Sequence, residues 1–215
     1  MNRLDPRATA RTRARYHRIA PLYDAMEALA ERRYRPWRRR LWSLVEGPTI
    51  LEVGVGTGKN MPFYPAGVEI TGVDLTPAML HRARARAVEL GLAVNLRLGD
   101  VQELDFPDAS FDTAVATFVF CSVPDPVLGF RELRRVVKPH GRILLLEHVR
   151  SARPLLGRLM DLLNPIVVRL VGANINRPTV ENVRRAGLVV DSVEDLGAGD
   201  IFKLILARRT DGAPL

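Results

Sequence analysis

Cysteine is almost missing from this chain. Cys121 stands alone, which excludes an internal disulfide and points to a reducing compartment. Lysine is scarce as well, with three against 29 arginines. No apolar stretch reaches the roughly 18 residues that a membrane-spanning helix needs. The N-terminal run Met1–Arg15 carries positive charge, yet no apolar core follows it, so a signal peptide is not expected. Aromatics are only 6% of residues and do not interleave with a basic stripe along the body, which disfavours nucleic acid as a partner. There is no internal repeat and no low-complexity tract, and no metal-ligand set is expected. What remains, 215 residues with 47% hydrophobic and 26% charged, reads as one cytoplasmic globular domain with a small appendage.

The charge is unevenly placed. Residues 1–40 hold 12 Arg and 4 Asp or Glu, so they carry the whole formal net charge of +8. Leu22, Met26, Leu29, Trp37, Leu41 and Leu44 recur there at helical spacing among Arg32, Arg33, Arg35 and Arg38–Arg40. Pro36 is expected to kink or break that helix near Arg35. Residues 1–44 therefore read as a basic helical lid. An Arg-rich amphipathic helix suits either packing on a domain or peripheral contact with an anionic membrane, here the inner membrane face.

From Pro48 onward short apolar runs alternate with helical ones. Strands are expected at Thr49–Val53, Glu69–Val73, Val94–Leu98, Phe111–Ala116, Gly141–Glu147, Val189–Leu196 and Phe202–Ala207. Helices are expected near Pro77–Leu90, Val127–Val137 and Thr179–Ala186, and over Pro154–Val171 with an interruption at Pro165. This alternation predicts an α/β fold, a doubly wound parallel sheet spanning residues 45–210, before a tail at 211–215. The short gap Gly197–Asp200 predicts a closing hairpin, so one edge strand should be antiparallel.

The most informative run is Ile50-Leu-Glu-Val-Gly-Val-Gly-Thr-Gly-Lys59, an apolar strand leading into Gly54-x-Gly56-x-Gly58. Glycines in that position let the backbone approach a ligand closely. The dinucleotide fingerprint fails, because position 59 is Lys59 rather than glycine; a P-loop fails as well. The second strand ends at Asp74, placed to accept hydrogen bonds from ribose hydroxyls, and the third ends at Gly99-Asp100, near an adenine edge.

With these residues, and with Phe106–Asp112, Thr117–Ser122 and Leu133–Gly141, the chain resembles class I S-adenosylmethionine-dependent methyltransferases over nearly its whole length. The resemblance implies a Rossmann-like seven-stranded sheet with the last strand antiparallel, and S-adenosylmethionine as cofactor. It implies that Glu52, Gly54, Gly56 and Gly58 surround the methionine portion, with Asp74 and Leu75 at the ribose and Asp100 and Val101 at the adenine. Thr117 and Tyr16 complete that cofactor set. The segment Tyr16-His-Arg-Ile-Ala-Pro-Leu-Tyr-Asp24 resembles the lid signature of ubiquinone/menaquinone C-methyltransferases and bacterial phosphatidylethanolamine N-methyltransferases. Cys121–Val123, Glu147–Val149 and Gly172–Thr179 resemble a membrane-associated group that includes thiol S-methyltransferases. The expected activity is methyl transfer to a small amphiphilic acceptor, either a phosphatidylethanolamine headgroup or a quinone precursor. Alternatives are thiol S-methylation, RNA methylation and a non-catalytic cofactor-binding regulator.

A sulfonium cofactor brings its own leaving group, so the chain has mainly to align an acceptor. His148 is the first candidate for a base, His17 on the lid the second, and Tyr23 a third catalytic candidate. Arg18, Asn174 and Arg177 are candidates for acceptor binding, the arginines through a lipid phosphate. Pro178 fits a helix start, with Asn176 or Arg177 at its cap. Cys121, on an apolar strand, reads as a small buried hydrophobe rather than a nucleophile.

Overall fold

In the computed structural model the described residues are 4–170, 172–197 and 200–209. Helices α1 (Pro6–Ile19) and α2 (Tyr23–Trp42) precede strand β1 (Thr49–Val53). Then come β2 (Glu69–Asp74), α3 (Pro77–Glu89), β3 (Asn95–Leu98), β4 (Phe111–Thr117), α4 (Pro126–Val136) and β5 (Val137–His148). The chain continues through α5 (Pro154–Leu170), α6 (Thr179–Arg185), β6 (Val189–Asp195) and β7 (Phe202–Arg208). One seven-stranded sheet has the order β3-β2-β1-β4-β5-β7-β6. The strands from β3 to β5 in that order are parallel, and β7 runs antiparallel to both β5 and β6.

The pleat explains both faces of this sheet. Leu51, Val53, Ala114, Ala116, Ile143 and Leu145 pack to one side with Phe130 and Leu133 of α4 and Val183 of α6. Their strand neighbours Ile50, Val115, Leu144 and Leu146 pack to the other side with Leu41 and Trp42 of α2. Such near-continuous apolar runs are what a sheet covered on both faces requires. Helix starts are set locally. Asp5 accepts from the backbone amides of Arg7 and Ala8, Asp125 accepts from that of Leu128, and Pro6, Pro77 and Pro126 occupy first-turn positions.

The strand order turns between β1 and β4, and the carboxyl ends of the strands meet there. That crevice is where a doubly wound sheet binds its ligand.

Several local expectations change. Helix α2 runs unbroken through Pro36, and α5 through Pro165. Each proline deletes one backbone hydrogen bond, while burial on the same helix (Arg38, Leu41 and Trp42 on α2, Met160 on α5) holds the axis together. Strand β5 begins at Val137 rather than Gly141, because Val137 already pairs with Phe111 before the register shifts to Thr113 with Arg142. Neither Asn176 nor Arg177 caps α6; Pro178 holds that position, with no side-chain cap. The expected tail, Val171 and the centre of the Gly197–Asp200 turn lie outside the described residues. Among the described residues, no helix is long and apolar enough to cross a membrane.

Candidate cofactor and acceptor cleft

A cleft opens at the switch point, between the carboxyl ends of the central strands and the N-terminal helices. Its floor is the turn after β1. Gly54 and Gly56 have φ of 66° and 57°, values that a residue with a Cβ resists. A Cβ on Gly54 would stand 2.4 Å from Val119 Cγ2, so this glycine lets the loop pack on the segment after β4. A Cβ on Gly56 would meet nothing nearer than 3.9 Å and would occupy cleft space instead.

Asp74 ties the floor together. Its carboxylate accepts from the Gly56 amide at 2.9 Å and from the Thr76 amide at 2.8 Å. Burial pushes its pKa up against those bonds. The Thr76 side chain bonds it as well; a carboxylate has about four acceptor directions, so one remains for a ribose hydroxyl. Asp100 accepts from the Gln102 amide at 2.9 Å and from Thr9 Oγ1 at 3.1 Å. Among the described lining residues, Asp74 and Asp100 are the charged ones; the wall around Val53, Phe118, Val119, Val123 and Pro124 is apolar.

The roof comes from α1 and the start of α2. Thr12, Tyr16 and Tyr23 line the cleft from above. Tyr16 Oη and Ser122 Oγ share a hydrogen bond of 2.5 Å, and burial holds the phenol neutral. Asp24 accepts from Thr57 Oγ1 at 2.6 Å, from Arg82 at 2.9 Å and from Arg86 at 3.1 Å. Burial would raise the pKa of Asp24, but these bonds, with the charges of Arg86 and Lys59, hold it below its ordinary value. Lys59 lies 3.8–3.9 Å from carboxylate oxygens of Asp24, Glu27 and Glu31. The N-terminal segment, basic in composition, thus turns its acids inward.

A buried polar chain connects roof to floor. Arg38 donates to Glu31 and to Asn60 Oδ1, both at 2.9 Å; Asn60 donates to Glu52 at 2.6 Å and to Thr117 Oγ1 at 3.0 Å. Tyr64 donates to the other oxygen of Glu52. Burial pushes Glu52 up to about 7 despite the bonds from Tyr64 and Asn60. Glu147 of β5 accepts from the Val119 and Phe120 amides at 2.9 and 3.1 Å. Those bonds fix the turn in which Phe118 has φ of 57°, a left-handed conformation held by its surroundings. Burial pushes Glu147 up to about 7 as well.

Eight of the expected cofactor residues line the cleft: Tyr16, Gly54, Gly56, Asp74, Leu75, Asp100, Val101 and Thr117. Tyr23 joins them. Glu52 and Gly58 stand behind the lining, Glu52 holding Asn60 and Tyr64, and Gly58 against Met61. His148 is not in the lining. Its ring packs edge-on to Phe202, burial pushes its pKa down, and its Nδ1 has no partner among the described residues. His17 and Arg18 are exposed on α1. Asn174 donates to the Cys121 carbonyl and Arg177 to the Val123 carbonyl, both at 2.9 Å, so both brace the cleft wall from behind. Cys121 is buried and its thiol is pushed up to about 12. Thr12, Phe118, Val119 and Ser122 line the cleft without having been singled out, and Arg38 and Glu147 support it. Phe118, Val119 and Ser122 lie in the turn that follows β4, a position the sequence could have signalled; Thr12 and Arg38 depend on which helix face turns inward.

The chain's relatives agree with this geometry. Residues 51–145 match the methyltransferase domain family. A phosphatidylethanolamine N-methyltransferase of Cereibacter sphaeroides is 44% identical over 104 residues, which span 47% of this chain and 51% of that relative. A demethylmenaquinone methyltransferase of Deinococcus radiodurans is 34% identical over 165 residues, spanning 74% of this chain and 68% of the relative. In fold, a SAM-dependent methyltransferase of Thermotoga maritima, described as a possible histamine N-methyltransferase, superimposes with a TM-score of 0.67 at 22% identity. That superposition covers 91% of this chain and 100% of the other. A cradle open at Gly56, a free acceptor direction on Asp74 and an apolar wall opposite fit an adenosine sulfonium, and the chain belongs to the S-adenosylmethionine-dependent methyltransferases.

Proposed function

We propose that the protein methylates a small amphiphilic acceptor, either the amine of a phosphatidylethanolamine headgroup or a quinone precursor. The observation that carries this reading is the neutral acceptor side of the cleft. Beyond Asp74 and Asp100 its described lining holds no charged side chain, only apolar groups and the neutral hydroxyls of Tyr16, Tyr23, Ser122, Thr12, Thr76 and Thr117. An uncharged wall disfavours an ammonium and favours the neutral amine, which is the nucleophilic form. An electron-rich quinol ring suits the same wall. The bound sulfonium supplies the methyl group together with its leaving group. The chain's own part is alignment. Tyr16, held as a neutral phenol on Ser122, and Tyr23 orient the acceptor from the roof. With the cofactor bound, these side chains would hold the acceptor nitrogen or carbon in line with the methyl group, and the acceptor's proton would pass to water. His148 takes no part in that step, and neither does the Cys121 thiol.

Two relatives named for phosphatidylethanolamine and demethylmenaquinone support the acceptor class. We further propose peripheral contact between residues 1–44 and an anionic membrane on its cytoplasmic side. Leu22, at the cap of α2, and Met26 and Leu29 on it are exposed, with Leu29 at 81%, and helical spacing puts Arg33 on the same stripe.

The test is transfer of labelled methyl from S-adenosylmethionine to phosphatidylethanolamine vesicles, a demethylated naphthoquinol, small thiols and RNA in parallel. Label in the lipid or the quinol is the expected result. Label confined to thiol or RNA, or to nothing offered, overturns the reading.

A further inference from the structure

Helix α5 has two apolar faces where a surface helix ordinarily has one. Its inner stripe, with Gly157 and Met160 buried and Asn164, Val167 and Val168 half-buried, packs against the body. On the opposite side Leu155, Leu159, Leu162, Leu163 and Ile166 are between 41% and 82% exposed. Their spacing of i, i+4, i+7, i+8 and i+11 makes one continuous stripe on the helix. An exposed apolar stripe of this size marks an interaction surface.

The flanking charges say what it meets. Arg158 and Arg169 are exposed on this helix and make no ion pair with any described residue. The one acid of α5, Asp161, is held by Arg150 at 2.8 Å and by Asn176 at 3.0 Å. The outer face therefore offers large aliphatic groups edged by unpaired guanidiniums. That chemistry complements acyl chains beneath anionic phosphates. Pairing with a second copy would instead crowd four unpaired arginines into one interface.

Its position ties it to the cleft. Asn164 donates to Asn174 Oδ1 at 3.2 Å and accepts from the Ile175 amide at 2.9 Å. Asn174 in turn holds the Cys121 carbonyl, next to the Ser122 and Val123 that line the cleft. Just beyond the helix, Arg15 of α1 lies against Gly172, so the helix end adjoins the cleft's roof. At about 1.5 Å per residue, 17 residues span about 25 Å, suited to lying in an interface rather than crossing it.

We infer that α5 is a membrane-seating helix. Its outer face inserts among the lipids of an anionic bilayer and brings the cleft to the surface where a lipophilic acceptor resides. This deepens the proposed function and rests on it for its purpose, although the seating itself does not depend on which acceptor is methylated.

The experiment uses the full chain and sedimentation with vesicles of phosphatidylglycerol and phosphatidylcholine, free of phosphatidylethanolamine and quinone. Leu162→Glu with Ile166→Glu alters two outward side chains, and an unchanged melting temperature verifies folding. The wild type should sediment with these vesicles, and the double variant should partition about tenfold more weakly or less. Arg158→Gln with Arg169→Gln should reduce the preference over pure phosphatidylcholine vesicles while keeping residual binding. Methyl transfer to a soluble short-chain acceptor should persist in all variants. Equal partitioning of wild type and double variant overturns the inference, as does a wild type that ignores these vesicles. A wild-type dimer in the ultracentrifuge that the double variant splits into monomers, with no vesicle effect, assigns the face to self-association instead. Failure of every methyl acceptor with vesicle binding intact would count against the proposed function alone.

Discussion

The floor and the roof of the cleft are built from different interactions. The floor belongs to the central strands, where Val53, Ala116 and Leu145 are buried to 0% exposure and the ladder is closed on both sides. The roof rests on polar contacts: Thr9 to Asp100, Tyr16 to Ser122, and Asp24 to Thr57, Arg82 and Arg86. Apolar burial of this kind is lost only with global unfolding, whereas half-exposed ion pairs exchange for water at small cost. The floor is thus held more rigidly than the roof.

The largest expected effect breaks the floor. Asp74→Ala removes the acceptor for a ribose hydroxyl and also frees the Gly56 and Thr76 amides. S-adenosylmethionine binding should weaken by about 2–4 kcal/mol, as measured by calorimetry. Equal affinity in wild type and variant would remove Asp74 from the site.

The next effect separates the floor from the roof by pH. Burial raises Glu52 and Glu147 from 4.5 to about 7. Their folded-state values lie above the unfolded ones, so the folded chain keeps protons that the unfolded chain releases. The associated stability is fully present below about pH 4 and is lost as pH rises through 7. Denaturation midpoints should therefore fall between pH 5 and 8. Glu147→Gln keeps an acceptor for Val119 and Phe120 and should flatten its share of that fall, on the order of 2 kcal/mol. An unchanged slope in the variant would refute the assignment.

The smallest effect on stability loosens the roof. Asp24→Ala leaves Arg82 and Arg86 without their carboxylate and should cost about 1 kcal/mol or less of global stability. Limited proteolysis within residues 1–44 should nevertheless quicken, and S-adenosylmethionine should slow it again. Proteolysis equal to wild type would show that the roof is held by packing alone.

The same contrast explains what could be read from residues alone. Strands β1 and β4 are legible because two-sided burial writes them largely as apolar runs, and Gly54 and Gly56 because the positive φ of their loop restricts residue type. The roof is less legible. Asp24, Glu27 and Glu31 look like minor acids in an arginine-rich segment until the inner face of α2 is known. Leu22, Met26 and Leu29 share the helical spacing of Leu41, yet only the later residues reach the sheet. His148 illustrates the opposite error. A histidine at a strand end is chemically suggestive, but side chains alternate along β5, so Glu147 meets the cleft wall and His148 turns to Phe202.

The order of strands also carries a consequence for assembly. Strand β7 is synthesised after β6 yet lies between β5 and β6. Until residues 202–208 leave the ribosome, β5 presents an open edge and β6 has no strand to pair with. The cofactor-binding half, β1 to β4, is complete by then in sequence. The nascent chain thus holds its catalytic floor before its sheet is closed, and the closing stroke is the insertion of one strand into a waiting gap.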